Sequence, residues 1–420
     1  MKRFLSVLLV GLLFFCTACT PTQAGSNATA APTAQTGKEL TACTTVTDKG
    51  LYDVEVYRAG IANIMYLDFA TGQQIFLCNR PECKHDNESC NAYISNGGGN
   101  CTPNILVVGD HLLLTRVGNC EKGPLKILIA DLNGENRRTL CEFKSYQDIA
   151  TEFYTDGDFL YFGLTTTNKE ELTQTESLVK VSLQTGQMDT LHTYPVNEVF
   201  HTFLGADQNK LIVDEDWVDA AGKPWRSLYW LDTGKTEGDA LSEEPFYTYP
   251  ADERGPQFLN GCVYTTVEDS GIITEENMTT GQKRSWDCSA VAQNMVDYGG
   301  FAFGPLFDDY FVIDVLERSD TKAFEAKEYL LNLTDGSITP ETLTRPDNGH
   351  PIAVEGVYQD SLCVSIDDWI TMFQFEDDEG MHEYESGTFM YAMIDKKDYI
   401  ASNPNYRIIP APTIPTGAGN

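Results

Sequence analysis

One unit recurs about seven times along this chain: strand, tight turn, strand, loop, strand, Thr-Gly-type turn, strand. The third strand and its turn show it most clearly, in MYLDFATGQQIFL (65–77), LIADLNGENRRTL (128–140), VKVSLQTGQMDTL (179–191), LYWLDTGKTEGDAL (228–241), ITEENMTTGQKRSW (273–286) and YLLNLTDGSITPETL (329–343). YAMIDKKDYI (391–400) is a degraded last copy. The turn glycines are Gly72, Gly134, Gly186, Gly234, Gly281 and Gly336, and Lys397 stands near where a seventh would fall. Such a period marks a repeat architecture, and four short strands per unit mark a β-propeller. The expected fold is all-β: seven four-stranded antiparallel blades, with six or eight blades as the alternatives.

The third unit illustrates the blade. TEFYTDG (151–157) reads as the inner strand and its turn, DFLYFGLT (158–165) as the second strand, SLVKVSL (177–183) as the third and QMDTLHTY (187–194) as the outer one. Asp-Gly and Thr-Gly suit tight hairpins because glycine accepts positive φ without strain. In the first unit the same order gives 44–50, 51–60, 64–72 and 73–77. Every unit therefore starts inside and ends outside, and the ring is expected to close without a shared strand. A Cys43–Cys363 bridge is a candidate staple for that seam, and Cys262 and Cys288, in one blade, are a second candidate pair. Strand direction sends the short turns to one face. The insertions 165–177, 214–227, 317–328 and 371–387 fall on the other, where propeller function is expected.

The N-terminus reads as a targeting segment. Lys2 and Arg3 precede the apolar run FLSVLLVGLLFF (4–15), which is short for a transmembrane helix. Residues 1–18 then read as a signal peptide, 19–42 as a flexible tether rich in Ala, Thr, Gly, Ser, Pro and Gln, 43–410 as the propeller and 411–420 as a flexible tail. Residues 1–18 carry Lys2, Arg3 and no acid, so their removal takes the net charge from −33 to −35. A chain this acidic is a poor partner for nucleic acid.

The sharpest chemical signal is CNRPECKHDNESCNAY (78–93), within a Cys-rich insertion over 78–101 between the first two blades. Cys78, Cys83, His85 and Cys90 fall within thirteen residues, and Cys101 follows. Three thiolates and an imidazole make a complete tetrahedral set for a structural zinc ion. The rival is a disulfide-stapled loop, since an extracytoplasmic chain meets an oxidising compartment. With Pro81, Lys84, Asp86, Asn87 and Glu88 in it, the loop cannot collapse on an apolar core, so a cross-link must hold it.

The second candidate surface combines aromatic and acidic residues: Trp217 and Trp225 in the fourth blade, with Trp369, Phe373, Phe375, Asp377 and Asp378 in the seventh. Such loops suit stacking on a sugar or caging a cation, or carboxylate binding of calcium. The bland reading is that Trp217 and Trp369 pack between blades. No Gly-x-Ser-x-Gly, His-Glu-x-x-His or P-loop occurs, so no catalytic residue is assigned.

The strand-Asp-x-x-Thr-Gly pattern resembles TolB-like and quinoprotein-like β-propellers. Cys16-Thr17-Ala18-Cys19 resembles a bacterial lipobox with Cys19 as the lipidated residue, although Cys16 stands where Leu is usual. Together they resemble extracytoplasmic propeller lipoproteins of low-GC Gram-positive bacteria, in which a Cys-rich stretch after the first Thr-Gly turn recurs. MTTGQKRSW (278–286) resembles the tryptophan-docking motif of quinoprotein propellers, with Trp286 in the tryptophan place. The other turns end in Leu or a polar residue, which argues against a quinone cofactor. The resemblance implies a lipid anchor on the outer face of the cell membrane. The expected function is a non-enzymatic binding or scaffold propeller that meets an envelope protein, peptide or glycan. A carbohydrate-active hydrolase or lyase using loop carboxylates, and a metal- or redox-responsive sensor built on the Cys cluster, are the alternatives.

Overall fold

The computed structural model describes residues 38–412, apart from 59–60, 96–102, 118–123, 151, 197–200, 252, 254, 268–269, 296–300, 319–324 and 378–379, and it describes only the backbone at 56–58, 201, 267 and 369–387. Cys19, Cys101, Cys120 and Asp378 therefore lie outside the described residues. Seven antiparallel sheets, each of at least four strands, follow one another along the chain, so the seven-bladed propeller is what the chain forms; in the first, two of the four strands are halves of one outer strand, and the expected inner strand 44–50 is reduced to the bridge of Val46 to Leu51. The two described helices are single turns, Ser289–Ala292 and Lys396–Ile400.

The recurring turn forms for a local reason. Asp68 Oδ1 accepts the N–H and the hydroxyl of Thr71, and Asn277 Oδ1 accepts those of Thr280. The side chain thereby mimics a backbone turn. The following glycine then takes a left-handed conformation, φ 63° at Gly72 and 66° at Gly281. Gly234 departs from this: the turn of blade 4 is longer, and Gly238 takes the positive φ instead.

Apolar residues on the two faces of each blade meet those of its neighbours in seven clusters, one per blade interface. The largest joins blades 2 and 3 through residues such as Ile127, Phe143, Phe162 and Val181. The smallest joins blades 4 and 5, where Ile212, Leu228 and Tyr249 meet the partly buried Phe258 and Met278. Each fully buried Leu, Ile or Phe contributes roughly 1.5–3 kcal/mol. Trp286 does dock: it is buried in the blade 5–6 cluster and its Nε1 donates to the Leu333 carbonyl of blade 6 at 3.3 Å.

Among the described residues ring closure uses no shared strand, and the blade 7–1 interface is sealed by Leu51, Leu67 and Phe69 against Cys363, Tyr391, Met393 and Ile409. A second device was not legible in the sequence. Residues 38–46 cross the inner strands of three other blades before entering blade 1. The Leu40 N–H donates to the Gln208 carbonyl of blade 4, Thr41–Ala42 pairs with Tyr154–Thr155 of blade 3, and Thr44 bridges Val107 of blade 2. This strap carries Cys43 into the blade 2–3 cluster, while Cys363 sits in the blade 7–1 seam. Cys43 and Cys363 are free, as are Cys262 and Cys288, so neither expected bridge is present.

Three of the four long insertions are extensions of the hairpin between second and third strands rather than loops. Blade 3 pairs Phe159–Asn168 with Thr173–Ser182 out to Asn168 and Thr173. Blade 4 pairs Lys210–Val218 with Pro224–Asp232 out to Val218 and Pro224. Blade 7 pairs Ser361–Asp377 with Gly380–Asp395 along a ribbon that reaches Asp377 and Gly380. Ladder pairing satisfies backbone groups that an open loop would have to leave to water.

Candidate metal centre and ligand face

The cysteine segment interrupts the outer strand of blade 1. Gln73–Phe76 pairs with one half of the third strand, Ile61–Asp68, and Tyr93–Ser95 pairs with its other half. Residues 77–92 are an excursion between these halves. The segment thus stands on the outer edge of blade 1, not on the loop-rich face between two blades. Its base is tied to the ladder, because the Leu77 N–H donates to the Ile64 carbonyl and the Ile64 N–H to the Ala92 carbonyl. Blade 2 supports it from the side: the Arg137 guanidinium donates to the carbonyls of Tyr93, at 2.6 Å, and Asn91.

Within the excursion, the Sγ atoms of Cys78, Cys83 and Cys90 and a ring nitrogen of His85 all lie within 4.8 Å of one another. The three cysteines are free, and this Cys3His group could hold a metal ion. Cys90 is buried and the other three are half-buried. His85 Nδ1 is 3.2 Å from Cys90 Sγ, and its ring stacks on Phe76 with centroids 4.2 Å apart. The backbone is pinned by Asn63, whose Nδ2 donates to the His85 carbonyl at 2.9 Å. Glu82 and His85 both adopt left-handed φ, 59° and 54°, which costs on the order of 1 kcal/mol each.

The electrostatics of the group are uneven. Burial pushes the Cys90 thiol up to about 12. At Cys78 burial acts in the same direction but is outweighed by hydrogen bonds from the Arg80 backbone and guanidinium and from the neighbouring thiols, so its value falls below the ordinary one. The Arg80 guanidinium also donates to Cys83 Sγ at 3.4 Å. A cation among the three sulfurs draws all of them toward thiolate.

The aromatic residues divide into two sets. In blade 4, Trp217 and Trp225 are cross-strand partners with stacked rings, centroids 6.1 Å apart. Trp217 is 41% exposed, so it does not pack between blades. Trp225 Nε1 donates to Asp219 Oδ2 at 3.2 Å, and Lys223 Nζ lies 4.8 Å from the Trp225 ring centroid. In blade 7, the register of the ribbon places Trp369, Phe373, Phe375 and Asp377 at alternate positions, opposite Thr388, Tyr384, His382 and Gly380. The structure does not bring the two sets to one blade.

The base of the ribbon is bolted to blade 1. The Thr388 hydroxyl donates to Glu55 Oε2 at 2.7 Å and the Tyr391 hydroxyl to Asp53 Oδ2 at 2.9 Å. Glu55 is 4% exposed. Burial, then the charge of Asp53, pushes Glu55 up to about 8. Burial also raises Asp53 and Glu355.

No protein-family model matches this sequence, and no curated protein matches it. Solved structures match its shape. The β-propeller domain of the Trilobed protease from Pyrococcus furiosus is 11% identical with a TM-score of 0.43, covering 88% of this chain and 99% of that one. An oligogalacturonate lyase in complex with manganese is 12% identical with a TM-score of 0.40, covering 87% and 85%. A prolyl endopeptidase is 12% identical with a TM-score of 0.42, and the match spans 85% of this chain and 47% of that one. The likeness is one of propeller architecture alone.

Proposed function

We propose that this chain is a lipid-anchored, extracytoplasmic propeller that binds a protein, peptide or glycan of the cell envelope and acts as a scaffold rather than an enzyme. Cys19 is the lipid site in this reading. The observation that carries it is the ribbon of blade 7, whose strands run 17 and 16 residues, against eight for the equivalent strands of blade 6. A rigid ring that projects one long, aromatic- and acid-rich ribbon is built to present it. The Cys3His donors then hold a zinc ion. Four protein ligands leave no open coordination position, so its work is to clip the two halves of the outer strand together.

The test replaces residues 370–387 with Asn-Gly, which joins the paired residues Trp369 and Thr388, and compares envelope cross-linking with the unaltered full chain. The expected result is loss of a reproducible cross-linked partner at unchanged folding. An identical set of cross-links from both proteins overturns the reading.

A further inference from the structure

A cavity of about 360 Å³ lies between blades 6 and 7, within the range that small-molecule sites occupy. The second and third strands of blade 6, Tyr310–Glu317 and Glu325–Asn332, form one wall, and Ala353 and Val354 at the start of the inner strand of blade 7 form the other. It exists because the inner strand of blade 6 is irregular: the register slips between Phe303 and Leu306, around Gly304 and Pro305. Pro305, which lines the cavity, has no N–H for the ladder. Small residues, Ala326 and Ala353, leave the space unfilled.

The lining has a definite chemistry. Val312, Leu316, Ile352 and Val354 supply apolar walls; among the described residues, Asp314, Glu328 and His350 are the polar side chains and no Lys or Arg lines the cavity. Asp314 and Glu328 are direct cross-strand partners, an arrangement that is unfavourable when both are ionised. Asp314 is exposed, whereas Glu328 is buried and accepts the Tyr399 hydroxyl. We propose that this cavity binds a small organic cation with an apolar body, an alkyl- or arylammonium, whose charged head sits on Asp314 and Glu328 and whose stem lies against the valine, leucine and isoleucine walls. The site is separate from the ribbon and does not depend on it.

The pairing makes binding proton-linked. Burial pushes Glu328 up to about 8; the Tyr399 hydroxyl opposes this, while Asp314 on the second strand and Glu341 on the outer strand add to it. His350, from the connection between the blades, lines the same space. Below about pH 8 the ammonium must displace a proton from Glu328, so affinity rises as pH rises toward that value.

The probes are 2-phenylethylammonium and its neutral isostere 2-phenylethanol, titrated calorimetrically into the full chain in detergent. The expected results are saturable ammonium binding, at least about tenfold weaker binding of the alcohol, and tightening from about pH 6.5 to 8.5. Asp314→Asn weakens the ammonium at least about tenfold, Glu328→Gln abolishes the pH dependence, and Val354→Phe blocks binding by filling the space without changing charge. The chain with residues 370–387 replaced keeps full binding, which separates this site from the ribbon. Equal binding of both probes, unchanged affinity in Asp314→Asn with native circular dichroism, or no saturable binding to the unaltered chain overturns the proposal.

Discussion

Two of the insertions, the ribbon of blade 7 and the excursion of blade 1, are held in opposite ways. The ribbon of blade 7 extends an existing hairpin, so each added residue gains a ladder partner, and Thr388 and Tyr391 bolt its base to Glu55 and Asp53. The excursion of blade 1 breaks an existing strand. It spends residues 78–91 outside the ladder, with Glu82 and His85 in left-handed conformations, and it converges on four metal-competent donors. An insertion that continues the hydrogen-bond pattern needs no cross-link, and one that interrupts it does.

The largest effect expected from that contrast is metal removal. Chelation, or Cys90→Ser, is expected to destabilise the chain by about 4 kcal/mol where free metal stands near 1,000 times its Kd, with proteolytic cleavage appearing within 77–92 and not in the ribbon. Chemical denaturation and peptide mapping check this.

Next comes the ribbon's base. Glu55 has an ordinary value of 4.5 and stands near 8 in the fold, so the folded state holds the extra proton between these values. Its contribution is fully present below 4.5 and is lost as pH rises through about 8, at up to about 1.4 kcal/mol per pH unit. Glu55→Gln is expected to flatten that part of the stability–pH profile and leave the excursion's metal content unchanged. Glu328, near 8 as well, contributes a slope of the same sign that persists in the Glu55 variant.

Smaller still is Arg80→Ala. It removes the guanidinium from Cys83 and Cys78 and is expected to weaken metal affinity about tenfold, read by competition with a chromophoric chelator. Smallest is the shortened ribbon, whose stability is expected to stay within about 0.5 kcal/mol of the parent. A large loss there would mean that the ribbon is structural.

The sequence made the blades legible because the turn chemistry is local. Asp68 and Asn277 shape their own turns through side-chain acceptors three residues from Thr71 and Thr280, and nothing distant is needed. The Cys3His set was legible for the same reason, since its donors lie within one short segment. Its place in the fold was not, because strand pairing resumes at Tyr93 only through long-range register with Ile61–Asp68. The strap was hidden likewise. Nothing in residues 38–46 announces that they pair with Tyr154–Thr155 and Val107, and the Cys43–Cys363 pairing failed on that point. The cavity beside Asp314 and Glu328 depends on a bulge around Pro305 and on the approach of blade 7, neither of which a repeat pattern reveals.

The most direct measurement is metal content by mass spectrometry, with thiol titration in parallel, on the full chain purified without oxidant or chelator. A metal-clipped outer strand predicts one zinc per chain, lost in Cys78→Ser and in His85→Ala. A chain without metal, in which Cys78, Cys83 or Cys90 is recovered in a disulfide, contradicts it.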